Sequence, residues 1–333
     1  MTPRPLLTFA VITYRQEEYA AQAAQGALSQ TYAPLEIILS DDCSPDDTFD
    51  VLRRAAEAYR GPNRVTVRRT ERNLGLIGHL NDIMRLAQGE LLIIAAGDDI
   101  SLPQRAERVY ETWRQSGGRA HSIFSNAIWI DETGRPLNPL HKTPILPEEL
   151  TLSAYAARRV PSLVNGATHA WTRDLFDHFG PLPLEARAED ILLPFRAALL
   201  GEIRYIYEPL VLYRRDSGRL RDAQGRSSLA QHRQRWAGWQ EMHAAVYRAR
   251  LRDLQTCLQN GLSPHPPAEL EAVRHITAQR LAQLEELLAA RGSDTRLPPL
   301  RRLALRARIF FDPLFDFLRL NLYYRYQDLR RKQ

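Results

Sequence analysis

Apolar residues in the first 130 positions fall in short β-rich runs separated by amphipathic stretches. In order these are Leu6-Ile12, Glu18-Leu28, Leu35-Leu39, Thr48-Tyr59, Val65-Arg68, Gly78-Leu86, Leu91-Ala95, Arg105-Trp113 and Ile123-Ile130. A continuous apolar run of five to seven residues suits a strand covered on both faces, and a run with apolar positions three and four apart suits a helix lying on the sheet. The pattern is βαβαβαβαβ. It predicts an α/β fold, Rossmann-like, with a mainly parallel central sheet and helices on both faces. Ligands of such sheets sit beyond the carboxyl ends of the strands, so the loops after each run are where function is expected.

After the ninth run the texture changes twice. Residues 133–150, TGRPLNPLHKTPILPEEL, are rich in proline and polar residues and read as an excursion from the sheet, and a mixed α+β segment then continues to about Leu220. Two long helical patterns follow, roughly 228–259 and 268–291, separated by the breaker NGLSPHPP. From Pro298, Leu303, Ala307 and Phe310 and then Leu314, Phe317 and Leu318 repeat at helical spacing among arginines. Asp312-Pro313 between them suits an N-cap followed by proline at the first helical position. The expected organisation is a nucleotide-binding α/β unit over 1–220, a C-terminal helical extension over 221–297, and basic amphipathic tail helices over 298–333.

Composition adds little until it is located. The 333 residues are 44% hydrophobic and 25% charged, and no run of about 18 apolar residues occurs that could span a bilayer. The N-terminus turns polar too soon for a signal peptide, which leads to the expectation of a cytoplasmic protein. Cys43 and Cys257 lie far apart with no CxxC partner and read as free thiols. The formal charge of +6 resides entirely in the tail, where residues 298–333 hold nine Lys or Arg against three Asp. A neutral body with a basic, aromatic tail points away from nucleic acid and toward an anionic membrane surface or an acidic partner.

Candidate chemistry gathers at the ends of the predicted strands. Asp41 and Asp42 follow Ile37-Ile38-Leu39 directly and could read a base or ribose, whose N–H and O–H groups are donors; Asp47 reads as part of the turn and cap before Thr48. Arg72-Asn73-Leu74-Gly75-Leu76-Ile77-Gly78 opens a helix but has neither the GxGxxG order of a dinucleotide site nor a P-loop, which argues against NAD and ATP enzymes. Leu91 to Ala96 end in Gly97-Asp98-Asp99. Paired carboxylates at a buried strand end suit Mg2+ or Mn2+ shared with phosphate oxygens, while a turn and helix cap before Pro103 is the plainer explanation. Glu189-Asp190 begin the helical pattern EDILLPFRAALLG; the helix dipole accounts for Glu189, and Asp190 is the candidate general base.

As an ordered set, Val11-Ile12-Thr13-Tyr14, Ser29-Gln30-Thr31-Tyr32, Glu36 to Thr48, Arg72 to Asn81, Gly97-Asp98-Asp99 with Pro103 and Arg105, and Glu189-Asp190 with Arg196 and Gly201 resemble family 2 inverting glycosyltransferases of the GT-A fold, of the bacterial polysaccharide and glycan-assembly type. The resemblance covers about residues 5–217. It implies a metal-dependent transferase that moves a sugar from a UDP- or dTDP-linked donor to a hydroxyl of a saccharide or lipid-linked acceptor. Thr13, Tyr14, Asp41, Asn73 and Asp98 would bind the nucleotide sugar, with Thr13 and Asp41 on the nucleoside and Asp98 on the ribose. Asp99 would hold the Mn2+ or Mg2+, and Asp190 would take the acceptor's proton. Two residues after Arg214 the family often carries a histidine; this chain has Asp216, which can also ligate Mn2+. A role for Arg214 or Arg215 on the phosphates stays open, and His169 and Trp171 stand either in an acceptor cleft or in the core. An inactive nucleotide-sugar-binding or scaffolding protein of the same fold is the alternative. A sugar-phosphate nucleotidyltransferase ranks below both, because no Gly-rich basic loop follows the first strand.

Overall fold

The computed structural model describes residues 3–137, 152, 164–214 and 229–291. Its centre is an eight-stranded sheet made of β1 (Leu7–Thr13), β2 (Leu35–Asp41), β3 (Arg64–Arg69), β4 (Leu91–Ala96), β5 (Ile100–Ser101), β6 (Ala120–Ile130), β7 (His169–Thr172) and β8 (Glu202–Arg214), in the order β3-β2-β1-β4-β7-β6-β8-β5. Strands β1 to β4 are parallel neighbours, and β6 pairs parallel with β8. β7 runs antiparallel between β4 and β6, and β5 runs antiparallel to β8.

The alternation of the strands explains the two layers. Leu7, Phe9 and Val11 of β1, Leu35, Ile37 and Leu39 of β2, and Leu91, Ile93 and Ala95 of β4 face one way. They pack against α1 (Ala20–Leu28), α2 (Thr48–Ala58) and α4 (Arg105–Gln115). Ala10, Ile38, Leu92 and Ile94 face the other way, toward α3 (Gly75–Leu86), α5 (Asp174–Phe179) and α6 (Glu189–Leu200). Each fully buried Leu, Ile or Phe contributes about 1.5–3 kcal/mol, which is why these runs are apolar at every position. β3 is the exception: an edge strand only partly buried, ending in Arg68-Arg69, whose charges discourage pairing with another chain.

The predicted strands and helices fall where the apolar runs place them. The difference lies between β4 and β6, which do not touch directly: the four residues of β7, all buried, are inserted between them. Four residues carry too little period to be read as a strand.

Two long helices, α7 (Leu229–Asn260) and α8 (Pro267–Arg291), complete the described residues. They share the core of the α/β unit. Val246 packs with Ala186, Ala188 and Ile191, and Ala249 joins the second sheet layer. Leu254, Cys257, Leu270 and Val273 close over Phe195, Ala198 and Leu199 of α6. Arg196 of α6 and Asp253 of α7 form a buried pair (Nε to Oδ2, 3.0 Å), and Arg196 also donates to the Gly180 carbonyl (2.7 Å). Both cysteines are free, and burial pushes the Cys257 thiol up to about 12. Among the described residues no helix is long and apolar enough to cross a membrane. The tail from 298, Asp216 and most of the 133–150 excursion lie outside the described residues.

Candidate active site

Parallel pairing places β1, β2 and β4 in register, with Thr13 opposite Asp41 and Ile12 opposite Ala96. Thr13-Tyr14, Asp41-Asp42 and Gly97-Asp98-Asp99 therefore leave the sheet along one edge. Asp41 is buried and engaged by its own surroundings. Its carboxylate accepts from the Ser44 N–H (2.9 Å), the Ser44 hydroxyl and the Thr13 hydroxyl (3.4 Å), and it forms an ion pair with Arg69 (Nε to Oδ2, 3.4 Å). Asp42 accepts from the Thr70 hydroxyl (3.0 Å) and from the N–H groups of Leu74 and Gly75 (2.9 Å each). Asn73, exposed, also accepts from the Gly75 N–H (2.9 Å). Asp42 and Asn73 thus satisfy the free donors at the start of α3, where Gly75 takes a φ of +70°.

The cap before α2 differs from expectation. Asp47 makes no capping bond; Asp46 accepts from the Thr48 hydroxyl (2.6 Å) and N–H (3.2 Å) instead. The β1 and β2 loops are stitched to each other by the Arg15 N–H to Ser44 Oγ (2.8 Å) and the Gln16 N–H to Thr48 Oγ1 (2.8 Å). Tyr14, half-buried, sits on the first of these loops.

Gly97 is required by closeness. A Cβ there would come closer than 3.0 Å to Thr13 Cγ2 and Gln16 Oε1, and Thr13 is short and tied to the β2 backbone. Gly97→Ala is expected to destabilise the fold by about 1–3 kcal/mol through overpacking and to displace the Thr13 loop. Urea unfolding within about 0.5 kcal/mol of wild type would count against this tight approach.

Beyond Gly97 the two acids part. Asp98 is half-buried at the rim, whereas Asp99 lies beneath it, its Oδ1 accepting the Arg214 N–H (2.8 Å) and its Oδ2 buried without a partner. Burial first and Asp98 second push the Asp99 carboxyl well above the usual range, opposed by Arg214 and Arg105. A buried carboxylate oxygen with no donor is costly, and a divalent cation beside it would remove that cost, so the donor set fits Mn2+ or Mg2+. Among the described residues no group of three His, Cys, Asp or Glu forms a metal cluster. Arg214 itself is a strut: its guanidinium donates to the carbonyls of Asp98 (2.9 Å), Asp131 (2.7 Å) and Glu132 (2.7 Å) and to Gln22 Oε1 (2.7 Å), and it lies over Tyr19. Those bonds turn it away from a phosphate role.

Asp190 reaches the same edge by another route. β7 is antiparallel to β4, with Ala170 opposite Ile93, so the 3-10 turn Gly166–Thr168 that precedes β7 lies toward the carboxyl end of β4. Glu189 and Asp190, at the first turn of α6, lean on that turn: a Cβ on Gly166 would collide with Glu189 Oε1 and stand 3.7 Å from Asp190 Cβ. Burial first and Asp190 second push the Glu189 carboxyl up to about 7. The helix dipole alone would do the opposite.

His169 and Trp171 belong to the core. His169 is buried with Nε2 on Ser122 Oγ (2.8 Å), and Trp171 donates to Met84 Sδ (3.1 Å). Burial, and Arg105 next to it, hold His169 down to about 3. The unfolded imidazole takes a proton near 6.5 and the folded one does not, so this contribution to stability is lost as pH falls from 6.5 toward 3. The raised carboxyls of Glu189 and Asp99 act in the opposite sense, so the comparison must be with His169→Gln. The stability gap between wild type and this variant should shrink by about 2 kcal/mol between pH 7.5 and 5. A gap that is flat with pH would contradict the buried neutral histidine.

Residues 8–147 match the model of glycosyl transferase family 2. A protein named as a glycosyltransferase, EpsE of Bacillus subtilis (strain 168), is 31% identical over 108 residues, which is 32% of this chain and 38% of that one. The chain spans between about a quarter and two fifths of the length of the first curated relatives it matches. Among solved structures, S. aureus TarS 1-349 in complex with UDP-GlcNAc is 16% identical with a TM-score of 0.58, covering 94% of this chain and 81% of that one. The mannosyltransferase PcManGT from Pyrobaculum calidifontis, in complex with GDP-Man and Mn2+, is 19% identical with a TM-score of 0.50, covering 100% and 89%. With its motifs in order and its strands in register, the chain carries the GT-A fold, and its residues 8–147 are those of a family 2 glycosyl transferase by their match to that family's model.

Proposed function

We propose that the chain transfers a glycosyl group from a UDP- or dTDP-linked sugar to a hydroxyl of a saccharide or lipid-linked acceptor, with inversion. The observation that carries this is the convergence of Thr13, Asp41, Asp98-Asp99 and the Asp190 turn at one edge of the sheet. Tyr14 and Asn73 flank the nucleotide, Thr13 and Asp41 shape the floor under the base, and Asp98, at the rim, faces the ribose. Asp99, with Asp216, would hold Mn2+ or Mg2+, which when bound neutralises the departing diphosphate. Asp190 accepts the proton of the acceptor hydroxyl as its oxygen bonds to the anomeric carbon. The bond from that carbon to the diphosphate oxygen breaks, and its electron pair leaves with the nucleoside diphosphate. PcManGT, a mannosyltransferase in complex with GDP-Man and Mn2+, supports a nucleotide-sugar donor and a divalent metal here. The basic tail supports a working place at the cytoplasmic face of an anionic membrane.

A thermal-shift panel of UDP-, dTDP- and GDP-sugars with and without Mn2+ tests the reading. A donor at a hundredfold excess over its Kd should stabilise the fold by about 2.7 kcal/mol, and more so with the metal. No shift with any member would sink it.

A further inference from the structure

We propose that Glu189 is a positioning residue for Asp190, fixing its aim from a shelf that the bare Cα of Gly166 provides. This rests on the reading of Asp190 as the acceptor's base. The geometry is local and specific: Glu189 Oε1 occupies the space where a side chain at 166 would begin, and the Asp190 Cβ borders the same space. Ala188, at the N-cap position of α6, offers no side-chain bond, and the Glu189 carboxyl lies beside that first turn, against the bare Cα of Gly166. The first turn of α6 is therefore held by a side chain wedged between the helix and the 3-10 turn.

The charge on that wedge matters because an anionic donor must approach next to it. A second ionised carboxylate beside Asp190 would repel a diphosphate and compete for the acceptor's proton; a protonated one does neither. Burial and Asp190 together favour the proton on Glu189 near neutral pH. The 3-10 turn carries no ionisable side chain. Charged or titratable groups on elements around it include Arg187 just before α6, His169 at the start of β7, Asp98 and Asp99 just after β4, His121 on β6, Arg204, Tyr205 and Arg214 on β8, and Arg250 and His243 on α7. His169 is neutral, burial and Arg250 hold His243 down to about 4, and Arg250 donates to the Ile191 carbonyl (3.3 Å).

Two measurements on the full chain test the proposal. In protein labelled with 13C at the glutamate carboxyls, one resonance should titrate with a midpoint near 7 and vanish in Glu189→Gln. In Gly166→Ala the new methyl pushes the flexible carboxyl off its shelf without moving backbone, so that resonance should titrate in the ordinary glutamate range. Absence of such a resonance, or no change in Gly166→Ala, overturns the placement. With the donor selected by the thermal-shift panel, Glu189→Ala should lower kcat about tenfold or more at a donor KM changed less than about twofold. Glu189→Gln should restore kcat to within about threefold and abolish a step near pH 7 that wild type shows, higher on the protonated side. Unchanged kcat in Glu189→Ala, or an unchanged pH profile in Glu189→Gln, overturns the positioning role. Full turnover in Asp190→Asn would instead remove the reading beneath it, while the carboxyl titration judges Glu189 separately.

Discussion

Replacing Asp190 by Asn should lower kcat by about 10²–10⁴-fold while leaving donor affinity within about twofold. The amide keeps the size and the hydrogen-bonding reach of the carboxylate but cannot take the proton that the acceptor hydroxyl must lose. Its neighbours make the experiment clean. Asp190 belongs to a helix whose next nine residues are buried, so the backbone at 190 has little freedom to drift. The nucleotide candidates lie at the ends of β1 and β2, just after β1 and β4, and just before α3, all outside α6. Steady-state turnover and isothermal titration with the donor separate the two effects. A variant that turns over at the wild-type rate would remove Asp190 from the mechanism, and a variant that loses donor binding would make it a binding residue instead.

Asp253→Ala should destabilise the protein by about 3–5 kcal/mol, the largest single stability effect anticipated. The substitution leaves the Arg196 guanidinium buried, still bonded to the Gly180 carbonyl but with its own charge uncompensated where α7 packs on α6. The pair is not itself a strong stabiliser, because burial raises the Asp253 carboxyl and so works against the ionised form. The double change Arg196→Met with Asp253→Leu should therefore recover most of the loss. Urea unfolding read by circular dichroism decides this: equal midpoints for Asp253→Ala and wild type would show that α7 does not depend on the pair. The same contact ties the helical extension to the helix that begins with Glu189 and Asp190.

The strands were legible because a sheet covered on both faces needs apolar residues at consecutive positions, as in Leu91-Leu92-Ile93-Ile94. Asp98-Asp99 were legible for the same reason, as the first polar residues after such a run. What escaped the reading depends on separations that periodicity does not encode. Asp42 caps a helix 32 residues away, Arg196 meets Asp253 57 residues on, and β7 is placed by the empty edge of β4 rather than by any pattern in HAWT. Burial was the other missing quantity. Sequence alone assigns Asp98 and Asp99 similar surroundings, yet one stands at the rim and the other beneath it. Glu189 reads as a helix-dipole acid until its desolvation is known.

Arg214 bears on the order in which the molecule comes into being. Its side chain is held by Gln22, Asp98, Asp131 and Glu132, and its N–H donates to Asp99 Oδ1, so five positions spread over nearly two hundred residues meet at one guanidinium and its peptide. A chain emerging from the ribosome can pair β1, β2, β3 and β4 long before residue 214 is made, since their contacts are nearer in sequence. The edge that carries the acids must then wait for the last strand of the sheet before Asp99 Oδ1 gains its donor. The rim is thereby completed late in synthesis, and a nascent or truncated product ending before β8 would hold the β1 to β4 pairing without the Arg214 bonds that join its loops.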